Sequence, residues 1–178
     1  MVYHAMDSKS IKALREIDFL KRYTGTLLHD HETALYHFGT EHAECNVHII
    51  RYLRKNTEET GNKWSDDMIT LLCEINKKRK SLLEQGVCSF SAETLTKYET
   101  DYFSLLAKGR KENKTTKHKY AKKDEQTLIN RMEKYSHNHL LFLHNIFLYI
   151  ALSQICFRQL SFAYIYLQKQ ELKTQQVI

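Results

Sequence analysis

Residues 24–53 read TGTLLHDHETALYHFGTEHAECNVHIIRYL, and the order of element types in this stretch decides the fold. Thr26, Leu27 and Leu28 make a short apolar run that ends at His29-Asp30-His31, the pattern of a buried strand with an acid at its carboxyl end. Glu32 to His37 fits about two turns of helix, stopped at Gly39. His42 to Cys45 supplies a second short strand. Asn46 then stands where a helix N-cap is expected, ahead of an apolar stripe of Val47, Ile50 and Leu53 and a basic stripe of Arg51, Arg54 and Lys55.

Outward from this segment the text is helical. Ile11, Leu14 and Ile17 repeat at helical spacing over Ser8–Asp18, with Ser8 or Ser10 available as the cap. Gly61 closes the helix that follows Asn46. Trp64, Met68, Leu71, Leu72, Ile75, Leu82 and Leu83 mark a longer helix that runs to Gly86. Leu95, Tyr98, Tyr102, Phe103 and Leu106 continue the pattern from Ser91, and Leu128, Met132 and Tyr135 mark one more helix. The 178 residues contain no proline and five glycines, so long helices meet few breakers and a turn-dense all-β architecture is excluded. The expected fold class is α+β and mostly helical.

The net charge of +6 is concentrated. Residues 108–123 carry Lys108, Arg110, Lys111, Lys114, Lys117, Lys119, Lys122 and Lys123 against the single acid Glu112, a local balance of +7 that leaves about −1 for everything else. With Gly109, Asn113 and two threonines, the run reads as a solvated loop between helices. It is either a plain connector or a phosphate-contacting element, since closely spaced cations displace counterions condensed on nucleic acid. Lys77-Lys78-Arg79-Lys80 reads as an exposed helix face.

Several chemistries bear on these residues. Asp30, at a strand tip, has the placement of an acid that meets a hard cation, although strand-end aspartates also cap helices. His42, Cys45 and His48, with His29 or His31, could supply zinc ligands, but their spacing matches no standard zinc motif. The sequence has neither a glycine-rich phosphate loop nor a nucleophile elbow. Residues 140–157 are uncharged, the lower limit for a bilayer span, but His144, Asn145, Ser153 and Gln154 interrupt them and Arg158 closes them. The segment reads as a buried or poorly folded tail. Four separated cysteines and no signal peptide give an expectation of reduced thiols and a cytoplasmic location.

The residues 24–53 resemble the insertion-sequence-66 family of DDE transposases. Asp30 and Tyr36 match its first element, an aspartate ending a strand before a short helix and a tyrosine; Cys45, His48 and Arg51 match a Cys-x-x-His-x-x-Arg pattern at the next strand–helix junction. Cys45 and His48 are also read as packing at that junction, and Arg51 as contacting a DNA phosphate or pairing with a carboxylate such as Glu44. The segment from Trp64 to His144 is similar to the family's helical insertion. The resemblance implies a partial RNase H-like core over 1–60, a helical insertion over 61–139 with the basic loop 108–123, and a divergent tail over 140–178. It also implies three carboxylates that hold Mg²⁺ or Mn²⁺ for phosphodiester strand cleavage and transfer, the ion not being tightly bound in this chain; the partners expected are DNA transposon ends and, as an option, a second copy in a homo-oligomer, with no small-molecule substrate.

By the resemblance Asp30 is the second of the three acids. The first is expected on a strand before residue 1, Asp7 being unsuited because it precedes a helix. The glutamate is expected shortly after His144, and Glu171 in Lys-Gln-Glu-Leu-Lys does not match. The expectation is an inactive, truncated and frame-shifted fragment that keeps DNA affinity through Arg51, Arg54, Lys55 and residues 108–123, with a front half of low stability. The rival readings are a non-enzymatic helical DNA-binding or interaction protein, and a small protein anchored in a membrane by residues 140–167.

Overall fold

The computed structural model describes residue 8 and residues 10–148. In order, these are helices α1 (Ile11–Arg15) and α2 (Asp18–Arg22), strand β1 (Thr26–His29), a 3₁₀ turn (Thr33–His37), strand β2 (Glu41–Glu44), and helices α3 (Asn46–Thr60), α4 (Trp64–Glu84), α5 (Ala92–Thr115), α6 (Lys119–Lys134) and α7 (Ser136–His144). The described chain is mostly helical, with β1 and β2 paired in a two-stranded parallel sheet. It divides into two units, one reaching to His42 and one starting at Ala43.

The first unit gathers Leu14, Leu20, Leu27, Ala34, Leu35 and Phe38 into a small core, with Ile11, Ile17 and Tyr23 packed on it. Ser10 caps α1, its hydroxyl accepting from the Ala13 N–H. The helix expected over residues 8–18 is broken, because Ile17 adopts an extended conformation and begins α2 as its N-cap. β1 is found as expected, with Asp30 next after its last residue. The expected two-turn helix is the tighter 3₁₀ turn. Gly39 has φ +72°, and a Cβ there would lie 3.0 Å from the Leu27 side chain and 3.1 Å from the Gly25 carbonyl, so only glycine lets the chain turn this close to β1. Thr40 donates its hydroxyl to the Thr24 carbonyl, and Thr26 Oγ1 donates to Glu41 Oε2 at 2.7 Å.

In the second unit α3 packs on α4, α4 on α5, α5 on α6 and α6 back on α3, a closed array of four helices, with α7 against α5 and α6. Ile49, Leu53, Trp64, Met68, Leu72, Ile75, Tyr102, Leu106, Ile129, Met132 and Phe142 fill its interior. Each fully buried aliphatic side chain of this kind contributes about 1.5–3 kcal/mol over its exposed state. Phe103, expected in the stripe, is exposed. Asn46 is not the cap of α3: Cys45 holds that position, and Asn46 is the buried first helical residue, donating Nδ2 to the His139 carbonyl at 3.4 Å. Gly61 closes α3 in the left-handed conformation, φ 71°.

Two charge assignments are corrected. Residues 108–123 do not form a loop. Lys108 to Thr115 complete α5, Lys119 to Lys123 begin α6, and only Thr116–His118 turn between them. Helix continues through Gly109 because that glycine lies under Trp64, where a Cβ would stand 2.7 Å from the indole Cδ2; the glycine serves close helix packing rather than a break. Within Lys77–Lys80, Arg79 is buried, donating Nη1 to the Ile146 carbonyl at 2.8 Å and Nε to Asn76 Oδ1 at 3.2 Å. No helix among the described residues is long and apolar enough to cross a membrane; the expectations for Asp7, Glu171 and the tail beyond residue 148 lie outside the described residues.

Candidate functional site

The strand tip of the first unit carries Asp30 half-buried. Its Oδ1 is enclosed and has no hydrogen-bond partner, an arrangement that costs stability for a polar atom. His31 follows at φ 71°, a left-handed backbone that disfavours a side chain by about 1–2 kcal/mol. The chain therefore turns sharply directly after the acid, and strain of this kind collects at functional positions. Around the tip, His29 Nε2 and His42 Nδ1 approach to 3.2 Å, the Tyr36 ring meets His29 edge-on at 4.7 Å, and Tyr36 Oη lies 3.5 Å from His31 Nδ1. Burial pushes the His42 imidazole below its usual range, with the Glu41 carboxylate acting against it.

The donor set does not complete a metal site. Among the described residues no three His, Cys, Asp or Glu side chains converge as a metal ion requires. Two divalent ions need several carboxylate oxygens between them, and Asp30 provides one carboxylate. The zinc set His29, His31, His42, Cys45 and His48 likewise does not converge.

In the second unit, the candidate motif residues follow α3 from its start. Cys45 and His48 are half-buried, and the His48 N–H donates to the Cys45 carbonyl at 3.0 Å. Arg51, Arg54 and Lys55 are exposed on the outer face, with Lys55 3.5 Å from Glu59. Glu44 pairs with Arg131 at 2.8 Å rather than with Arg51, and with His139 Nε2 at 3.1 Å. The other face of that imidazole, Nδ1, is 2.8 Å from Tyr102 Oη, which also donates to the Met132 carbonyl at 3.0 Å. Burial, then the Glu44 carboxylate, pushes the Tyr102 phenol far above its usual range. Arg131 also lies 4.9 Å over the Tyr52 ring. This buried chain ties β2, α5, α6 and α7 together.

Against known families, curated proteins and solved structures, the chain finds no match. What it can do is therefore read from its own geometry.

The basic run resolves into parts with different jobs. Lys108 pairs with Asp67 and lies 3.7 Å from Glu112; Arg110 reaches Glu133 and Asn130. These two cations brace α5 against its neighbours. Lys122 donates Nζ to the Lys114 carbonyl at 2.9 Å. Lys111, Lys114, Lys117, Lys119 and Lys123 are exposed around the α5–α6 turn.

Beneath the turn is a network that sequence reasoning missed. Glu125 is 1% exposed. Its Oε1 accepts from Asn62 Nδ2 at 2.7 Å, Trp64 Nε1 at 2.7 Å and Asn56 Nδ2 at 3.2 Å; its Oε2 accepts from Asn113 Nδ2 at 2.8 Å and Thr116 Oγ1 at 3.0 Å. Burial alone would push this carboxyl up, but the donors from Asn62, Asn113, Trp64 and Asn56 outweigh it and hold the group below its usual range. Glu112 closes the same end by accepting from the N–H groups of Lys63 at 2.7 Å and Trp64 at 3.1 Å, which satisfies the otherwise open start of α4. The signal for this cluster was legible in the helix period: Glu125 falls on the stripe of Ala121, Ile129 and Met132, and Asn113 on that of Tyr102, Leu106 and Gly109.

Proposed function

We propose that this chain is a DDE transposase fragment, with a strand-tip carboxylate from an RNase H-like core and a helical nucleic-acid-binding body. The observation that carries the reading is the order strand, Asp30, second strand, helical array, which is the order expected from the resemblance of residues 24–53, with a 3₁₀ turn in place of the short helix. Two further features support it. Asp30 keeps an enclosed oxygen without a partner beside a strained residue, a cost that function rather than stability explains. The cations of the α5–α6 turn and of α3 are exposed on the helical body, where phosphates can reach them.

In this reading Asp30 is one ligand of a divalent-metal cage whose other acids are not among the described residues. The chain binds DNA and does not cut it. The test is a single substitution, Asp30→Asn, read two ways in the full chain. The expected results are unchanged or slightly raised thermal stability, and no strand cleavage by either protein with Mg²⁺ or Mn²⁺. Cleavage that Asp30→Asn abolishes would show a working nuclease; a loss of about 2 kcal/mol or more would show a structural acid of the kind that caps helices. Either outcome overturns the proposal.

A further inference from the structure

The helical body presents one aromatic side chain where its exposed cations gather. Tyr120, in the first turn of α6, is 74% exposed, and no other large hydrophobic side chain among the described residues is as open to solvent. Its ring stands 6.0 Å from that of His118, which caps α6 by accepting from the Ala121 N–H at 3.4 Å. On α6, Lys123 is three residues after Tyr120 and on the same face, with Lys119 beside it and Lys117 in the turn; Asp124, exposed one turn on from Tyr120, puts an acid on that face as well. Ala121 and Glu125 point inward, so the helix period itself turns Tyr120, Lys119 and Lys123 outward together. From α5, Lys111 and Lys114 add their charge; Lys108 and Arg110 do not, being committed to carboxylates.

We propose that the α5–α6 turn is a binding site for single-stranded DNA, in which Tyr120 stacks on a base while Lys111, Lys114, Lys117, Lys119 and Lys123 hold phosphates. An aromatic face surrounded by flexible cations is the pairing that single strands require, because an unpaired base offers its π-face and the backbone its charge. A duplex hides those faces and leaves Tyr120 without a partner. The start of α6 adds its own positive dipole end to the same place. Rigidity favours the site as well: Asn113 and Thr116, on either side of the turn's entry, are both held by Glu125, so the turn is fixed before a ligand arrives and little ordering is needed on binding. The inference rests on the nucleic-acid part of the proposed function and is independent of Asp30.

The experiment measures fluorescence anisotropy of a labelled 20-nucleotide oligo-dT and of a 20-base-pair duplex with the full chain across a salt series. Single strand should bind more tightly than duplex. Tyr120→Ala should weaken single-strand binding by roughly five- to a hundred-fold with an unchanged salt slope. The triple replacement of Lys114, Lys117 and Lys119 by Ala should lower the slope of log K against log salt by about 2. Unchanged circular dichroism and Trp64 emission verify that the variants are folded. Single-strand affinity untouched by Tyr120→Ala, tighter binding of the duplex, or equal competition by polyglutamate would overturn the inference while leaving the broader proposal standing. No binding to either DNA would overturn both.

Discussion

Replacing Glu125 with glutamine keeps the shape of the side chain and removes only its charge and one acceptor. On the Oε1 side, three donors at 2.7–3.2 Å would bond to a neutral carbonyl in place of a carboxylate. On the Oε2 side, the new amide would face Asn113 Nδ2, donor against donor, at a separation now 2.8 Å. Asn113 cannot turn away freely, because the same nitrogen donates to the Lys122 carbonyl at 2.8 Å; Thr116, a hydroxyl, can reverse its role. Losing one charge-assisted bond and weakening three others costs about 3–5 kcal/mol, or roughly 10 °C in Tm for a chain of this size. The assay is thermal unfolding followed at once by helix circular dichroism and by tryptophan emission. Trp64 is the sole tryptophan, is 0% exposed and donates to Glu125, so its emission reports this corner directly. The acid limb gives a second reading. Since the folded carboxyl lies below its usual value of 4.5, the unfolded chain takes up the proton first. The contribution is therefore complete above that value and is lost as pH falls through the folded one. Glu125→Gln should flatten this part of the pH profile. A Tm within about 2 °C of the parent, with Trp64 emission unmoved, would refute the view that the neutral donors stabilise the carboxylate.

Gly109→Ala inverts the usual rule for helix interiors: alanine normally gains about 0.5–1 kcal/mol there, but its Cβ would meet Trp64 at 2.7 Å, so urea denaturation should show a loss of about 1–3 kcal/mol. Arg79→Ala leaves the Ile146 carbonyl and Asn76 without their donor and should cost about 1–3 kcal/mol, whereas Lys78→Ala, on the exposed face of the same run, should stay within about 0.5 kcal/mol. For His42, burial lowers the folded imidazole below its usual 6.5, so the unfolded state binds the proton first and stability should fall as pH drops through that value; His42→Gln should remove this slope in denaturation curves taken between pH 7.5 and 5.5.

The helical body was legible because its apolar residues keep period: Trp64, Met68, Leu71, Leu72 and Ile75, and Tyr98, Tyr102 and Leu106, are buried where their spacing puts them, whereas Phe103 is exposed. β1 and its terminal acid were legible from four residues, since Thr26-Leu27-Leu28 is apolar and Gly25 opens it. Charge density and a glycine make the basic run read as a loop, and neither says what a glycine packs against; Trp64, forty-five residues earlier in sequence, supplies the reason for Gly109. Asn46 departs from its expected capping role for a related cause. Its side chain is used in a contact ninety-three residues away, with the His139 carbonyl, which no local pattern carries. Glu44 found Arg131 rather than Arg51 for the same reason.

The carboxylate at the base of the α5–α6 turn is satisfied by amides, an indole and a hydroxyl, with no cation among the five. Mobile ions compete with charge pairs far more than with enclosed neutral donors. High ionic strength should therefore release a bound polyanion from the lysines and leave their scaffold intact, so that the protein washed free at high salt is ready to bind again on dilution.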